Sequence, residues 1–568
     1  MDAIGIDFGT TNSLVATHNG SRVQVLPIDK APDQWAPYGF DDVMPSVVAR
    51  DEASRVCFGW EAKRKADGRF DAVKRMFATQ LDYAVTDDGE ALAVEEVATM
   101  IFAELRRRAI SNGIDAQQAV ITVPANSKGR ARHRTKLCAG MAGLEVLALI
   151  NEPTAAAMAY AQRHPESRQL LVFDWGGGTL DVTLLHSVDG IFIEQASAGV
   201  QRSGGLDFDA RLEKLVRNLS PNLANLTGTQ KHEFKMEIEL AKIRLSDAEA
   251  TSIQLPDGSG LRITRSQFEK EYEGMLDEAR DAVELCLRNA QTNAGAIDAL
   301  VLVGGTCRIP GVRRWVQSLL GLEADPDINP MTAVAEGAAI AASIMTGRLA
   351  KSDFFVCLEH SLGTFAVNSN MGELEFSPII RKGTKLPARA TGEYSPVVPT
   401  TEAVSVKVVE GDPEARNPDY TVLKEWDVPL KTPYTEGSPR TFELIYEYDV
   451  DGILRVRATD LESGTILLED DVSYGVATDK RQLKAMSDRA RSAVETGVIN
   501  AEASVNLSDP EAAKLAEQAQ VKVIPFLDAD EAQPIRAAVE ALQQADSSNL
   551  QQAKTSLKSL LAPYSYLF

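Results

Sequence analysis

Apolar residues alternate at Ile4 and Ile6 and then give way to Asp7-Phe8-Gly9-Thr10-Thr11-Asn12. That pattern predicts a buried strand with a carboxylate at its end and a sharp turn at Gly9. Leu14–Thr17 and Val23–Pro27 read as strands of a meander, joined by an Asn19-Gly20 hairpin turn. Residues 30–45 are rich in Pro, Asp and aromatics and read as a loop. Phe70–Phe77 predicts a helix carrying Lys74 and Arg75, and spacing alone leaves both on a solvated basic face. Val97, Ile101 and Leu105 recur at helical spacing within Glu95–Ile110. Ala119–Pro124 reads as a buried strand, Lys128–Lys136 as a helix with a solvated basic face, and Leu144–Ile150 as a further strand. The alanine-rich stretch Ala155–Ala161 is helical, with Thr154 as its N-cap. Glu152 falls at the preceding strand end, where α/β folds place chemistry.

The opening design then returns. Strand Leu170–Phe173 runs into Asp174-Trp175-Gly176-Gly177-Gly178-Thr179-Leu180-Asp181, and strand Val182–Leu185 follows. Three consecutive glycines cost conformational entropy, which makes sense where backbone must approach a ligand closely. Together with the Asp7 turn they predict a duplicated unit clasping one nucleotide. N–H donors would hold phosphate oxygens and carboxylates would hold the water shell of a metal. A chance glycine-rich hairpin is the competing reading. Ser203-Gly204-Gly205-Leu206-Asp207-Phe208-Asp209 turns into a helix. Helix Glu233–Leu245 sets Glu239, Lys242 and Ser246 on one face, which pattern alone leaves at the surface. Strand Ala299–Val303 ends in a third glycine turn, Gly304-Gly305-Thr306, followed by Arg308, and Ala333–Ile344 is a helix of small residues able to pack tightly.

The pattern changes after Gly347. Arg348–Ser352 is mostly polar and Asp353–Leu358 is a short apolar run. Beyond it Val404, Val406 and Val408, then Phe442, Leu444 and Tyr446, then Leu454, Val456 and Ala458 alternate, with turns such as Asp451-Gly452 between them. This predicts an antiparallel β domain of about 115 residues. From Asp479 onward helical stripes take over, Ile535, Val539 and Leu542 in one and Leu550, Leu557 and Leu560 in another, with a turn at Asp546–Asn549.

Bulk properties narrow the classes. The 568 residues have room for roughly three or four domains. A net charge of −22 argues against nucleic acid as a partner. The five cysteines lack any C-x-x-C pair, which suits reduced thiols in the cytoplasm, and the six histidines are not at zinc-ligand spacing. Neither a signal peptide nor an apolar run of about 18 residues is present, so no membrane span is expected.

The glycine turns, their order and the change from α/β to β to α together resemble the seventy-kilodalton heat-shock chaperone family. The resemblance is most specific over residues 1–347, less so over 361–475 and least over the helical end. It implies a multidomain α/β, β and α chain. Residues 1–347 would form an actin-like two-lobed ATPase domain and 348–360 a linker. Residues 361–476 would form a β-sandwich that binds peptide, and 477–568 a short helical lid. The implied activity is ATP hydrolysis to ADP and phosphate, coupled to binding and release of unfolded, extended apolar segments. The implied cofactors are ATP or ADP with Mg²⁺, and K⁺ as a further ion.

Residue roles follow from the same resemblance. I-D-F-G-T-T-N matches the first phosphate loop, giving Gly9, Thr10, Thr11 and Asn12 to the phosphates and Asp7 to the waters of the metal. D-W-G-G-G-T-L-D matches the second, with Asp174 at the metal, Gly176, Gly177 and Gly178 against the phosphates, Thr179 near the γ-phosphate and Asp181 nearby. Gly204 and Gly205 join the nucleotide contacts. A-V-K-R makes Lys74 the lysine that orients the attacking water, against its solvated-face reading. I-N-E-P-T-A-A-A sets Glu152 beside the metal and γ-phosphate. E-L-A-K-I-R-L-S places Glu239, Lys242 and Ser246 around the ribose and base, opposite Gly304, Gly305, Thr306 and Arg308. Pro124 and Arg132 match residues that relay nucleotide state between domains. Tyr394, Val397, Val404 and Val406 fall at positions lining the peptide cleft, ordinary sandwich core being the alternative for Val406.

Departures from the family pattern are equally legible. The linker stretch D-F-F-V-C-L-E-H-S-L-G is short and lacks V-T-P. A-N-S-K-G-R-A-R differs from the aromatic-containing loop after Pro124, and Met331-Thr332 replaces an acidic pair. The Leu255–Leu261 hairpin is short, the lid is short, and the acidic tail motif of eukaryotic cytosolic members is missing. These features resemble a specialised bacterial-type member with a narrowed client range. They leave the exchange factor open, while a J-domain co-chaperone remains expected. A second reading is a noncatalytic ATP-binding scaffold or exchange partner, which the altered linker favours. A third is a small-molecule kinase on the same fold, against which the β domain and helical end speak.

Overall fold

In the computed structural model each half of the N-terminal part is built on a strand with the same neighbours. Residues 1, 80, 87–88, 126, 128, 189–190, 201–202, 221–222, 224–225, 350–357, 359, 368–371, 386, 399, 412, 414–419, 431–439, 449–453, 473–479, 500–508, 525–526, 528, 547 and 568 lie outside the described residues. Asp2–Phe8 pairs in parallel with Ala116–Val123 and antiparallel with Asn12–His18. Glu145–Asn151 and Val23–Val25 extend the two edges of this first sheet. Gln169–Trp175 likewise pairs in parallel with Ala299–Val303 and antiparallel with Leu180–Val188, beyond which Ile191–Val200 follows. Register repeats as well. Phe8 opposes Ser13 and Trp175 opposes Leu180, so both hairpins close through four residues, Gly9–Asn12 and Gly176–Thr179. The central strands are covered on both faces, which is why their apolar runs are nearly continuous and Ile4, Ile6, Phe8, Leu171 and Phe173 are fully buried.

Small residues bring the first sheet and its helices close together. Helix Ala333–Met345 lies on strand Asp2–Phe8 and against helix Glu152–Ala161. A Cβ at Gly5 would stand 2.1 Å from the Ala339 nitrogen, and one at Gly337 1.7 Å from the Ala155 carbonyl oxygen. Backbone therefore packs on backbone there, as the small-residue pattern of that helix predicts.

Three local expectations need correction. Thr154 is not the N-cap of its helix. Pro153 sits in the first turn and the helix begins at Glu152, with Asn151 before it. The Phe70–Phe77 stretch yields only one helical turn, Val73–Met76, because Arg69–Phe70 pairs with Val48–Ala49 and Ala72 takes a left-handed φ of 55°. The basic helix, Gly129–Met141, is not simply solvated. Arg134 is buried, its guanidinium paired with Glu95 at 2.9 Å and donating to the carbonyls of Met76 and Leu81.

Two four-stranded antiparallel sheets follow. One holds Ser361–Val367, Leu374–Ile380, Ala403–Gly411 and Thr421–Pro429, the other Ala388–Tyr394, Phe442–Tyr448, Leu454–Asp460 and Ile466–Val472. They share a core that includes Val406, Val408, Leu444, Tyr446 and Val456. The Asp451-Gly452 turn and the linker, apart from Arg348, Leu349, Leu358 and His360, lie outside the described residues. The final helices pack in two places. Lys480–Thr496 lies on helix Val94–Ser111, where Arg489 grips Glu96 through two bonds of 2.9 and 2.7 Å. Met486, Ala490 and Ala493 of that helix join the core of the first half. Pro510–Glu517, Ala529–Gln543 and Leu550–Leu561 form a core of their own, into which Ile535, Val539, Leu542 and Leu557 point.

Replacing Gly337 with alanine must push the two helices apart. We expect Gly337→Ala to destabilise the N-terminal part by about 3 kcal/mol, read from its denaturant midpoint. A midpoint equal to that of the parent would contradict the packing described.

Candidate functional site

The two four-residue turns meet face to face between the halves. A Cβ on Gly177 would lie 2.6 Å from Thr11 Oγ1, and one on Gly9 only 2.1 Å from the Asn12 carbonyl oxygen. Ser46 fixes the first turn from outside, its hydroxyl donating to the Gly9 carbonyl at 2.8 Å and its N–H to that of Thr11 at 2.9 Å. The second turn is tied by Gly176 N–H to the Thr179 carbonyl at 3.0 Å, and by the N–H groups of Gly205 and Leu206 to the carbonyls of Gly176 and Gly177. Gly204 lies so close to Gly178 that its Cβ would be 2.4 Å from that backbone. The third turn closes on the second. Gly304 has φ +84°, its Cβ would be 2.3 Å from the Trp175 carbonyl oxygen, and Thr306 Oγ1 donates to the Gly176 carbonyl at 3.0 Å. Glycine is required at 304 on both counts.

One cation and four carboxylates gather behind these turns. Lys74 Nζ donates to Glu152 Oε1 at 2.6 Å, with both side chains largely buried. Asp7, at the end of its strand, accepts from Thr122 Oγ1 at 3.2 Å, and Asp181 accepts from Thr179 Oγ1 at 3.2 Å. Burial, followed by repulsion from Glu152, pushes the Asp7 carboxyl up to about 7 against the pull of Lys74 and Thr122. Asp181 is pushed up to about 6 by burial and Glu152, and Asp174 well above the carboxylate range by burial, Glu152, Asp181 and Asp7. So many acids around one lysine suit a further cation, which would lower the cost of ionising them. Among the described residues no group of three or more acids, histidines or cysteines is arranged to hold a metal ion directly. Asn12 Oδ1, in the first turn, is buried without a hydrogen-bond partner.

A pocket opens from the turns along helix Gly228–Asp247, whose N-terminus is fixed by a capping box of Thr227 and Gln230. It brings together Thr11, Asn12, Gly176, Gly177 and Gly205 with Glu239, Lys242, Ser246, Gly305, Thr306 and Arg308. Glu239 is paired with Lys63 at 2.8 Å, Lys242 donates to the Gly205 carbonyl at 2.9 Å, and Arg308 donates to the Tyr38 carbonyl at 2.7 Å. Sequence reasoning missed the apolar lining from Phe40, Ile243, Ile309 and Met331, and Asp209, which Lys242 holds at 2.8 Å. Only Met331 carried a signal, as a replacement of an acidic residue.

The remaining expected residues lie elsewhere. Arg132 Nη1 donates to Asn151 Oδ1 at 3.0 Å, next to Glu152, and the Pro124 carbonyl accepts from Ser127 N–H. The residues expected at the peptide cleft differ widely in burial. Val397 is 75 % exposed, Val404 and Tyr394 are partly buried, and Tyr394 hydroxyl meets Ser377 Oγ at 3.0 Å. Val406 is only 2 % exposed, so here it is sandwich core and not cleft lining.

Glycine turns that meet between duplicated halves, with buried carboxylates behind them and a pocket beside them, fit a nucleotide-binding protein. Comparison with known proteins makes this definite. Residues 3–566 match the family model described as Hsp70 protein. The chain is 33% identical over 504 residues to the chaperone protein dnaK of Cyanidioschyzon merolae, covering 81% of this chain and 80% of that one. It is 34% identical over 487 residues to the chaperone protein DnaK of Thermotoga neapolitana, covering 81% and 78%. The chain belongs to the Hsp70 family. It is an ATP-dependent chaperone with ATPase activity, which binds ATP and ADP and acts on unfolded polypeptide clients. The scaffold reading is not favoured. No helix among the described residues is long and apolar enough to cross a membrane.

The raised Asp7 carboxyl has a testable consequence. The folded protein keeps that proton up to about pH 7, whereas an unfolded chain releases it near pH 4. The stability contributed by this group is therefore present at low pH and lost as pH rises through that window. In metal-free, nucleotide-free buffer, Asp7→Asn should gain melting temperature relative to the parent between pH 5 and pH 8. A difference that stays constant with pH would contradict the assigned shift.

Proposed function

We propose that hydrolysis takes place where the two turns meet, with Lys74 and Glu152 as the acting pair. The observation that carries this is the 2.6 Å contact between them, set among Asp7, Asp174 and Asp181. Lys74 orients the attacking water. Thr10, Thr11, Asn12 and the backbone of Gly9, Gly176, Gly177 and Gly178 hold the phosphates, with Thr179 and Asp181 beside the γ-phosphate. Asp7 and Asp174 would hold Mg²⁺ through water, with K⁺ as a further ion at the same acidic end. When bound, Mg²⁺ supplies charge neutralisation at the β- and γ-phosphate oxygens. The protein contributes position and preorganised donors more than covalent chemistry. Adenosine occupies the apolar end, between Glu239, Lys242 and Ser246 on one wall and Gly304, Gly305, Thr306 and Arg308 on the other, with Gly204 and Gly205 at the floor.

The same reading divides the chain into an ATPase domain at 1–347, a linker at 348–360, a peptide-binding sandwich at 361–476 and a helical lid at 477–568. Tyr394, Val397 and Val404 belong to its peptide surface. Coupling runs through helix Gly129–Met141. Its first N–H bonds Glu410 of the sandwich at 3.1 Å, and Arg132 on the same helix holds Asn151 beside Glu152. Pro124 anchors the approach to that helix. A J-domain protein is the expected co-chaperone. The free thiols Cys57, Cys138, Cys286 and Cys307 support a cytoplasmic setting.

Lys74→Ala should keep ATP binding and lose about 10²–10³ in single-turnover rate. Normal turnover would remove Lys74 from the reaction. In steady state, an unfolded apolar peptide should stimulate the parent ATPase, because the sandwich contacts the helix that reaches Glu152. Hydrolysis indifferent to peptide, even with a J-domain protein present, would show that the short linker has uncoupled the two.

A further inference from the structure

The helical end of the chain reaches the nucleotide cleft itself. Between Glu517 and Ile524 the backbone forms a π-helical turn, Gln518–Val523, a rare geometry found mostly at functional sites. It sends Val521 into the core of the first half, while Ala519 and Val523 stay in the core of the tail. Around it the tail is tied to the first half at four points. Glu517 Oε2 accepts from Val85 N–H at 2.7 Å, Lys514 donates to the Val85 carbonyl, and Lys522 pairs with Asp71 at 2.8 Å. Arg75 donates to the Val521 carbonyl at 3.4 Å. Asp71 precedes the one-turn helix Val73–Met76 and Arg75 lies on it, on either side of Ala72 and Lys74. Burial alone would raise the Asp71 carboxyl, yet Lys522 and Arg69 hold it well below its usual range, so the pair is ionised and mutually dependent.

The tail also touches the opposite wall. Its last turn, Ala562–Leu567, lies against helix Gly205–Leu219 of the second half. Between the walls lies a chamber lined by Thr10, Thr11, Arg75, Asp209, Lys235 and, from the tail, Lys522. It shares Thr11, Leu206, Asp209 and Glu239 with the adenosine pocket, so the two spaces adjoin. A ligand held between two walls leaves when they part. A segment bonded to one wall and packed on the other opposes that motion.

We infer that the tail from Pro510 to Leu567 is an intramolecular latch across the nucleotide cleft and sets the rate at which ADP leaves. This rests on the nucleotide reading of the cleft. Nucleotide enters by the same opening through which it leaves, so breaking the latch predicts faster release and entry that is no slower.

The experiment is stopped-flow displacement of a fluorescent ADP analogue from the full-length chain. Lys522→Glu should speed release about tenfold or more. Exchanging the charges, with Asp71→Lys and Lys522→Asp together, should bring release back to within about threefold of the parent. A triple variant, Lys514→Ala with Glu517→Ala and Lys522→Glu, removes the side-chain ties of the tail to the first half and should release at least as fast as the single variant. Hydrogen exchange over Gln518–Val523 should quicken in step. Release within twofold of the parent in both the single and the triple variant overturns the latch while leaving the nucleotide reading intact. A parent chain that binds no fluorescent ADP overturns the nucleotide reading and the latch with it.

Discussion

Four carboxylates facing one lysine constrain everything around them. Burial at the junction of two sheets makes each negative charge costly, and Glu152 raises the cost for Asp7, Asp174 and Asp181 in turn. Lys74 offsets part of this through its contact with Glu152. A cation beside them would lower the cost of ionising the remaining acids. The duplicated hairpins provide this packing economically. Each delivers one aspartate at a strand end and one tight turn at the same register, and the two meet so closely that a Cβ at 177 would displace the Thr11 hydroxyl.

Lys74 itself is placed less securely than the acids. It sits on a single helical turn entered through a left-handed alanine, a conformation that costs roughly 1–2 kcal/mol at a non-glycine residue. Such backbone persists where its surroundings over-determine it. Here the surroundings are Arg134, which binds the Met76 carbonyl, and the tail, which binds Asp71 and Arg75 on either side. Arg75 is itself buried enough that its guanidinium is lowered to about 10, with Asp207 and Asp71 opposing the shift. The position of the lysine thus depends on elements hundreds of residues away.

The hairpins, their glycines and the helix of small residues were legible because local sequence dictates them. Strand–Asp–Gly–Thr repeated at two places needs no knowledge of tertiary structure to be noticed, and only backbone contact explains Gly337 and Gly5. Lys74, Glu239 and Lys242 were legible only through family resemblance, since a basic or acidic residue on a helix looks solvated whichever way the helix is turned. Arg134 shows the same limit from the other side: its burial is decided by Glu95 and by carbonyls on another segment. Val406 was ambiguous because alternation in a strand separates two faces without saying which is covered. The seating of the tail left no trace in pattern at all. Lys514, Glu517 and Lys522 look like an ordinary charged helix face, and their partners are chosen by docking.

The docked arrangement also fixes the direction of any coupling. The sandwich touches helix Gly129–Met141 through Glu410, helix Lys480–Thr496 lies on Val94–Ser111, and the end of the tail spans the cleft. These contacts belong to one arrangement of the chain, and a motion that carried sandwich and tail away as one body would break them together. Linkage then requires reciprocity. If docking closes the cleft over nucleotide, bound nucleotide favours docking by the same free energy. A polypeptide that binds better to the undocked sandwich must weaken nucleotide binding to the same degree. The tail makes this exchange direct, because the segment that would follow the sandwich outward is the one that holds Asp71 and Arg75 beside Lys74.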